Sequence, residues 1–319
     1  MKIITEQQIR SLAITPRQCV EWIHESFAMK HEAQLPAKIS VHPADYDFFT
    51  SMPCLLPDNG GDIRFFGIKE VHRIEGAVPS LGSDIMLYNA KNGELLALMD
   101  GDWITTMRTG AVAAASAKAL RKSNASVYGF VGLGNTAGGS LLCSLEAEPE
   151  KQFKVKLLRY KNQAEQFIAR FTDYANVDFE IVDSISELAQ TVDVFISCIT
   201  SANGLLVEDE KIFQPGVTVI PVHMRGLQNC DTTFDRVFGD DTDHVKGFKY
   251  FSQFRDYNEI GEVLSGRDPG RKSDKQRILD YNYGLALHDI VFASKLYEAL
   301  INTDTINIPI HKETDKFWI

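Results

Sequence analysis

The chain has 319 residues, with 33 Lys plus Arg against 43 Asp plus Glu, a formal charge of −10, and 44% hydrophobic residues. That length suits two domains with a sizeable core, and the composition is that of a folded protein rather than a disordered one. A net negative chain without a Lys/Arg block has no electrostatic footprint for a phosphate backbone or an anionic membrane, so nucleic acid and membrane are set aside as partners. In chain order, Thr15-Pro16-Arg17-Gln18 is the first helix start: Thr15 can cap, Pro16 suits the first helical position and Gln18 completes a capping box. Val20, Ile23 and Phe27 then share one face. Strand character follows over 39–41, 48–52, 65–71, 85–88 and 95–99, with Asn92-Gly93 as a hairpin signal, which predicts a mostly antiparallel sheet. Asp102 can cap a helix over 103–121 that is rich in small residues.

From Ser126 the pattern changes to strands alternating with helices, which predicts a parallel sheet with crossover helices in Rossmann-like order. Strands are expected over 127–131, 155–158, 179–182, 193–197, 217–222 and 237–239, with helices at 140–145 and 163–171. A polar loop over 265–274 precedes a final helix over 279–300 with the length to pack back on the first domain. The five cysteines (Cys19, Cys54, Cys143, Cys198, Cys230) are odd in number and form no CxxC pair, so neither a disulfide framework nor a zinc knuckle is indicated. MKIITEQQIR lacks the apolar core of a signal peptide, and no apolar run approaches the roughly 20 residues that span a bilayer; a cytoplasmic location is expected.

Gly132-Leu133-Gly134-Asn135-Thr136-Ala137 is a G-x-G-x-x-A turn directly after an apolar strand and before a helix. The glycines allow a tight turn and close approach to a pyrophosphate, and the helix N-terminus offers unpaired N–H groups, so dinucleotide binding is the expectation. The second strand ends in Leu158-Arg159-Tyr160-Lys161-Asn162, without the acid that usually holds the ribose hydroxyls of NAD. Arg159 and Lys161 suit a 2′-phosphate, which favours NADP, with NAD as the alternative and a solvated strand end as the plain structural reading. Thr200 and Ser201 follow the fourth strand at the carboxyl edge, where open α/β sheets bind ligands. Asp240-Asp241-Thr242-Asp243-His244 has metal-ligating residue types but reads as an acidic turn, and no H-E-x-x-H occurs; no metal is expected.

Several segments together resemble the ornithine cyclodeaminase / mu-crystallin family: Gly67-Ile68-Lys69-Glu70-Val71, Gly93-Glu94-Leu95-Leu96-Ala97-Leu98-Met99-Asp100, Thr105-Thr106-Met107-Arg108-Thr109-Gly110, the turn at Gly132, and Leu285-Ala286-Leu287-His288-Asp289. The resemblance covers essentially the whole chain. It implies an α/β fold in two parts: a Rossmann NAD(P)-binding domain over 124–278, and a discontinuous α+β substrate-binding and dimerisation domain from 1–123 and 279–319. Members reduce imino acids, dehydrogenate alanine, or convert ornithine to proline with loss of ammonia, and one branch binds thyroid hormone. By position, Lys69 resembles the lysine set against the substrate carboxylate and reacting nitrogen, and Arg108 the arginine that grips the carboxylate. Lys38 falls where many members have a carboxylate-binding arginine; a lysine supplies charge there but no planar bidentate pair. Thr109 resembles a residue near the cofactor phosphates.

A departure follows the fifth strand, where cyclodeaminases place an acid/base aspartate and this chain reads Val222-His223-Met224-Arg225-Gly226-Leu227, with Arg225 at the aspartate position. Without a carboxylate there, ring closure on a side-chain amine loses its proton handler. An imino-acid reductase or amino-acid dehydrogenase is therefore expected ahead of an NAD-using cyclodeaminase or a non-catalytic cofactor-dependent binding protein. His223 is a candidate proton donor or nicotinamide contact, with a structural histidine as the other reading. Met52 lines the pocket or ends a core strand. Asp289, on the last helix, orients a substrate or a catalytic lysine, or else caps the helix or makes a buried structural bond. If Arg225 faces the site, the substrate carries a second acidic group.

Overall fold

Side chains that alternate between buried and half-exposed positions build the first sheet. The computed structural model describes residues 1–200, 202, 204–222 and 226–310. They fall into two units, one of Met1–Ala13, Glu32–Ile104 and the segment from Asp289 onward, the other of Ile14–His31 and Thr105–His288.

In the first unit, strands β1 (Lys2–Ile4), β2 (Ile39–Val41), β3 (Phe48–Leu55), β4 (Phe65–Arg73), β5 (Leu81–Asn89) and β6 (Glu94–Asp100) join a last strand, Ile306–Asn307, in one sheet. Its order is last strand, β1, β6, β5, β4, β3, β2. Strands β2 to β6 form an antiparallel meander, as the sequence predicts, and β1 adds in parallel to β6. Gly93 closes the β5–β6 hairpin with φ +75°, its N–H donating to the Asn89 carbonyl at 2.8 Å. The last helix, Ala286–Leu300, covers β4 from Asp289 onward: Tyr297 meets Phe65 edge-on, and Ile290 sits where a side chain at Gly67 would be. This helix starts later than its expected beginning near 279. Residues 278–281, Ile-Leu-Asp-Tyr, are all buried in a strand of the other unit, and four residues are too few to show a period that separates strand from helix.

The second unit holds β7 (Val127–Val131), β8 (Phe153–Leu158), β9 (Val177–Val182), β10 (Val194–Ser197), β11 (Thr218–Pro221), β12 (Arg236–Gly239), β13 (Asn258–Glu259) and β14 (Ile278–Tyr281). Their order is β13-β12-β14-β11-β10-β7-β8-β9, and every pair is parallel. From β9 through β14 this is the 3-2-1-4-5-6 order of dinucleotide-binding sheets. The sixth place belongs to β14; β12, expected there, lies one strand further out. Both faces are buried, with Val194 and Ile196 in one apolar cluster and Phe195 in the other. The capping box at Thr15 forms, the Gln18 N–H donating to Thr15 Oγ1 at 3.2 Å and the Thr15 N–H to Gln18 Oε1 at 2.9 Å. The helix it starts, Pro16–Ala28, buries Val20, Ile23 and Phe27 and packs on helix Asn135–Ala147.

Helix Asp102–Leu120 begins in the first unit and continues into the second. Asp100, rather than Asp102, takes a first-turn N–H, that of Asp102 at 3.0 Å, while the Asp102 carboxylate accepts the Ser83 N–H at 2.7 Å. Small residues let this helix approach helix Asn135–Ala147 closely: a Cβ at Gly139 would stand 2.8 Å from the Thr106 carbonyl oxygen. No helix among the described residues is long and apolar enough to cross a membrane.

Candidate functional site

Strand β7 delivers the chain to Gly132, whose φ is +78° and where a Cβ would stand 2.7 Å from the Cys198 carbonyl, just past β10. The fold itself demands glycine there. Gly134 differs: it N-caps helix Asn135–Ala147 without a side-chain cap, and a Cβ on it would find no protein atom within 4 Å. Glycine at 134 leaves that space open, and an open, uncapped helix N-terminus fits a pyrophosphate. Asn135 is exposed, Thr136 half-buried and Ala137 buried in the core. These residues fit the phosphates of a dinucleotide.

At the end of β8, Arg159 donates from Nε to Asp183 at 2.6 Å and from Nη1 to Glu165 at 2.8 Å. Lys161 has φ +52° and places Nζ 5.3 Å from the Tyr160 ring centre. The two cations thus share the strand end with two carboxylates that the sequence reading did not include. Asp183 directly follows β9, and that position is the signal that marks it. Thr109 is half-buried on helix Asp102–Leu120, and Thr200 is exposed beyond β10. Ser201, His223 and Arg225 lie outside the described residues.

Lys69 occupies a core position of β4 by alternation with Phe65 and Gly67. It is 0% exposed, and its Nζ donates to Asp289 Oδ1, itself 0% exposed, at 2.9 Å. A lone ammonium in such a place would be expelled or neutralised; a carboxylate partner lets it stay charged. Across the sheet Met52 of β3 is directly opposite Lys69, and Ile85 of β5 flanks it on the other side. The half-buried Lys38 lies one residue before β2, whose Ile39 pairs with Ser51 of β3. Met52 and Lys69 are thus cross-strand neighbours on one face of the sheet, and Lys38 precedes the next strand over. Cys54, two residues along β3, is buried; burial first and the Asp289 charge second push its thiol up to about 12, which removes it as a nucleophile.

Arg108 is 7% exposed on helix Asp102–Leu120 and lies against the backbone of Gly284. The Gly284 N–H donates to the fully buried Asp240 carboxylate. Asp240 thus faces inward. Asp241 caps the short helix Thr242–Val245 by accepting the Asp243 N–H at 2.8 Å and pairs with Lys30 at 2.8 Å, and Asp243 pairs with Lys246 at 2.7 Å. Among the described residues, no group of three or more His, Cys, Asp or Glu side chains is arranged to hold a metal. His288 is buried with Nδ1 2.6 Å from Ser26 Oγ and its ring edge-on to Phe27.

A doubly covered parallel sheet with this strand order and glycine turn, in one chain with a unit whose sheet buries an ion-paired lysine, defines a two-unit α/β protein of the dinucleotide-binding class. Residues 2–304 match the ornithine cyclodeaminase/mu-crystallin family, and the chain belongs to it. It is 26% identical over 316 residues to an alanine dehydrogenase of Archaeoglobus fulgidus, covering 93% of this chain and 94% of that one. It is 27% identical over 231 residues to the ketimine reductase mu-crystallin of Mus musculus, covering 70% and 71%. The fold matches that of Thermococcus litoralis Δ1-pyrroline-2-carboxylate reductase in complex with NADH and L-proline, with a TM-score of 0.83, 22% identity, and coverage of 97% of this chain and 100% of that one.

Proposed function

We propose that this protein is an NAD(P)H-dependent oxidoreductase that reduces an imino acid, or interconverts an oxo acid and its amino acid. The observation that carries the proposal is the fully buried Lys69, opposite Met52 in the sheet and ion-paired with Asp289. A lysine at a core position of a strand suits a small anion, and a carboxylate belongs to the alanine and the Δ1-pyrroline-2-carboxylate in the relatives' names. Lys69, Lys38 and Arg108 hold that carboxylate and orient the imine. Lys69 also keeps a proton at Nζ for the reacting nitrogen, with Asp289 stabilising its charged form. The Gly132–Ala137 turn seats the dinucleotide phosphates, Thr109, Thr200 and Ser201 are assigned as further cofactor contacts, and Arg159 and Lys161 are assigned to the adenosine end. When bound, the nicotinamide supplies the hydride. The sequence Val222-His223-Met224-Arg225-Gly226-Leu227 has no carboxylate to handle a side-chain amine, which favours reduction over cyclodeamination. His223 is assigned as a proton donor, and Arg225 as a contact for a second acidic group.

The unit with the antiparallel sheet is assigned to substrate binding and dimerisation, and the parallel unit to the cofactor. Exposed Ile39, Val41 and Phe49 on β2 and β3 support a homodimer, because an apolar edge left in water invites pairing. Five free thiols support a reducing, cytoplasmic setting.

The test is oxidation of NADPH and of NADH by the purified protein with Δ1-pyrroline-2-carboxylate, other cyclic ketimines, and 2-oxo acids with ammonia, followed by ammonia release from ornithine. Turnover with an imine or oxo acid, reduced on the order of 10²–10⁴-fold in Lys69→Ala and Arg108→Ala, is the expected result. Robust proline formation from ornithine with catalytic NAD would replace the proposal with a cyclodeaminase. Tight ligand binding with no turnover across the panel would replace it with a binding protein.

A further inference from the structure

Arg108 and Ser116 lie eight residues apart on helix Asp102–Leu120, about 12 Å along its axis. Both touch the segment that leaves β14. Asn282 Nδ2 donates to Ser116 Oγ at 3.3 Å and to Asp280 Oδ2 at 2.9 Å, and the Asn282 N–H donates to the Pro221 carbonyl at 3.1 Å. Two residues later Gly284 has φ +85°, and a Cβ there would stand 2.5 Å from Arg108 Nη1 and 3.2 Å from Nη2. The guanidinium therefore rests on a stretch of backbone that only glycine can supply. That backbone is fixed from β12: the Gly284 N–H donates to Asp240 Oδ2, and the Asp240 N–H donates to the Tyr281 carbonyl at 3.1 Å. Asp240 is fully buried, a costly place for a carboxylate whose nearest ordinary use would be a surface turn.

We propose that Asp240 is a positioning residue for Arg108, acting through the Gly284 backbone that forms the wall for the guanidinium. This rests on the proposed role of Arg108 as a substrate-carboxylate ligand. Arginine grips a carboxylate best when its planar fork is held before the ligand arrives, and a wall against Nη1 and Nη2 sets that plane. Asp240 never touches the substrate. Its carboxylate anchors one N–H, and through it the orientation of a side chain on another element. Loss of the anchor lets the segment move, and a displacement near 1 Å at such a site costs up to about 100-fold.

The experiment compares Gly284→Ala, Asp240→Ala and Arg108→Ala singly and paired, using full-length protein, NADH binding by fluorescence, kinetics with Δ1-pyrroline-2-carboxylate, and thermal unfolding. Gly284→Ala and Asp240→Ala are each expected to raise KM roughly tenfold or more, with the NADH Kd within about twofold of wild type. In the Arg108→Ala background either change is expected to add less than about twofold, because the group being positioned is gone. The Tm lost in Gly284→Ala is expected to shrink in that background, since the added methyl no longer meets the guanidinium; this reads the contact without turnover. Unchanged KM in Asp240→Ala and Gly284→Ala, alongside a raised KM in Arg108→Ala, overturns the positioning role and leaves the carboxylate role standing. Unchanged KM in Arg108→Ala overturns the carboxylate role, and strictly additive Tm losses overturn the contact itself.

Discussion

Lys69 and Asp289 are 220 positions apart in sequence and 2.9 Å apart in space, with neither side chain exposed. Each ion makes the other tolerable, so removing one is worse than removing both. Asp289→Asn is expected to destabilise the protein by about 3–5 kcal/mol in urea unfolding, whereas the pair Lys69→Met with Asp289→Leu is expected to recover most of that loss. A single-variant loss below about 1 kcal/mol would mean that Lys69 finds another partner or gives up its proton. The lysine was legible in the sequence because the family motif marks it, and its burial follows from strand alternation. Its partner was legible only as one option among several, because nothing local in Leu285–Asp289 says which strand the helix will cover. The clasp of Asp240 on Gly284 left no sequence signal beyond an acidic turn and a glycine, since a backbone donor is invisible in residue types.

Elements show the same division between local and distant causes. The glycine turn was readable as a strand-turn-helix pattern, but the different duties of its glycines emerge only in three dimensions. Gly134→Ala is expected to fold with an unchanged Tm in the absence of cofactor and to weaken NADH binding more than about tenfold, because its methyl enters the space reserved for the phosphates. Gly132→Ala is expected to lose stability as well, since φ +78° and the Cys198 backbone both oppose a side chain. Calorimetry with and without NADH separates the two. Strand β14 was misread as the start of a helix because its four residues are buried on both faces and so carry no period.

That strand also holds Asp280, which burial foremost, and the nearby Asp240 charge in addition, push up to about 7 from an ordinary 3.8. The folded protein then keeps a proton that the unfolded chain has released, so this group subtracts stability as pH rises from about 4 to about 7. Asp268 acts in the opposite sense at lower pH. Burial raises it, but Arg236, Asn258 and the Gly270 N–H outweigh that and hold it near 2, so its contribution is lost as pH falls from about 4 towards 2. In Asp280→Asn the decline of Tm between pH 4 and 7 is expected to flatten, and an unaltered slope would place the titrating group elsewhere.

At the scale of the whole molecule, the formal charge of −10 argued against polyanions and left open a local exception. The exception is concrete at Lys69, buried in the core of the first sheet opposite Met52, where the surface charge has little reach. Exposed Ile39 and Val41 at the sheet edge are expected to be covered in a dimer, so sedimentation of Val41→Lys should shift toward monomer; an unshifted dimer would move the interface to another face. Fold class was legible because alternation of strands and helices is a long-range regularity, whereas the order of β12 and β14 depends on which strand fills a gap after the chain has passed it. In the proposed reaction, hydride passes from the nicotinamide to the imine carbon of a carboxylate-bearing substrate. Reduction of Δ1-pyrroline-2-carboxylate or of 2-oxo acids with ammonia, using nicotinamide deuterated at C4, tests it by mass spectrometry of the amino acid formed. One deuterium at Cα in stoichiometric step with cofactor oxidation is the expected result, and no deuterated amino acid from any substrate of that panel would contradict it.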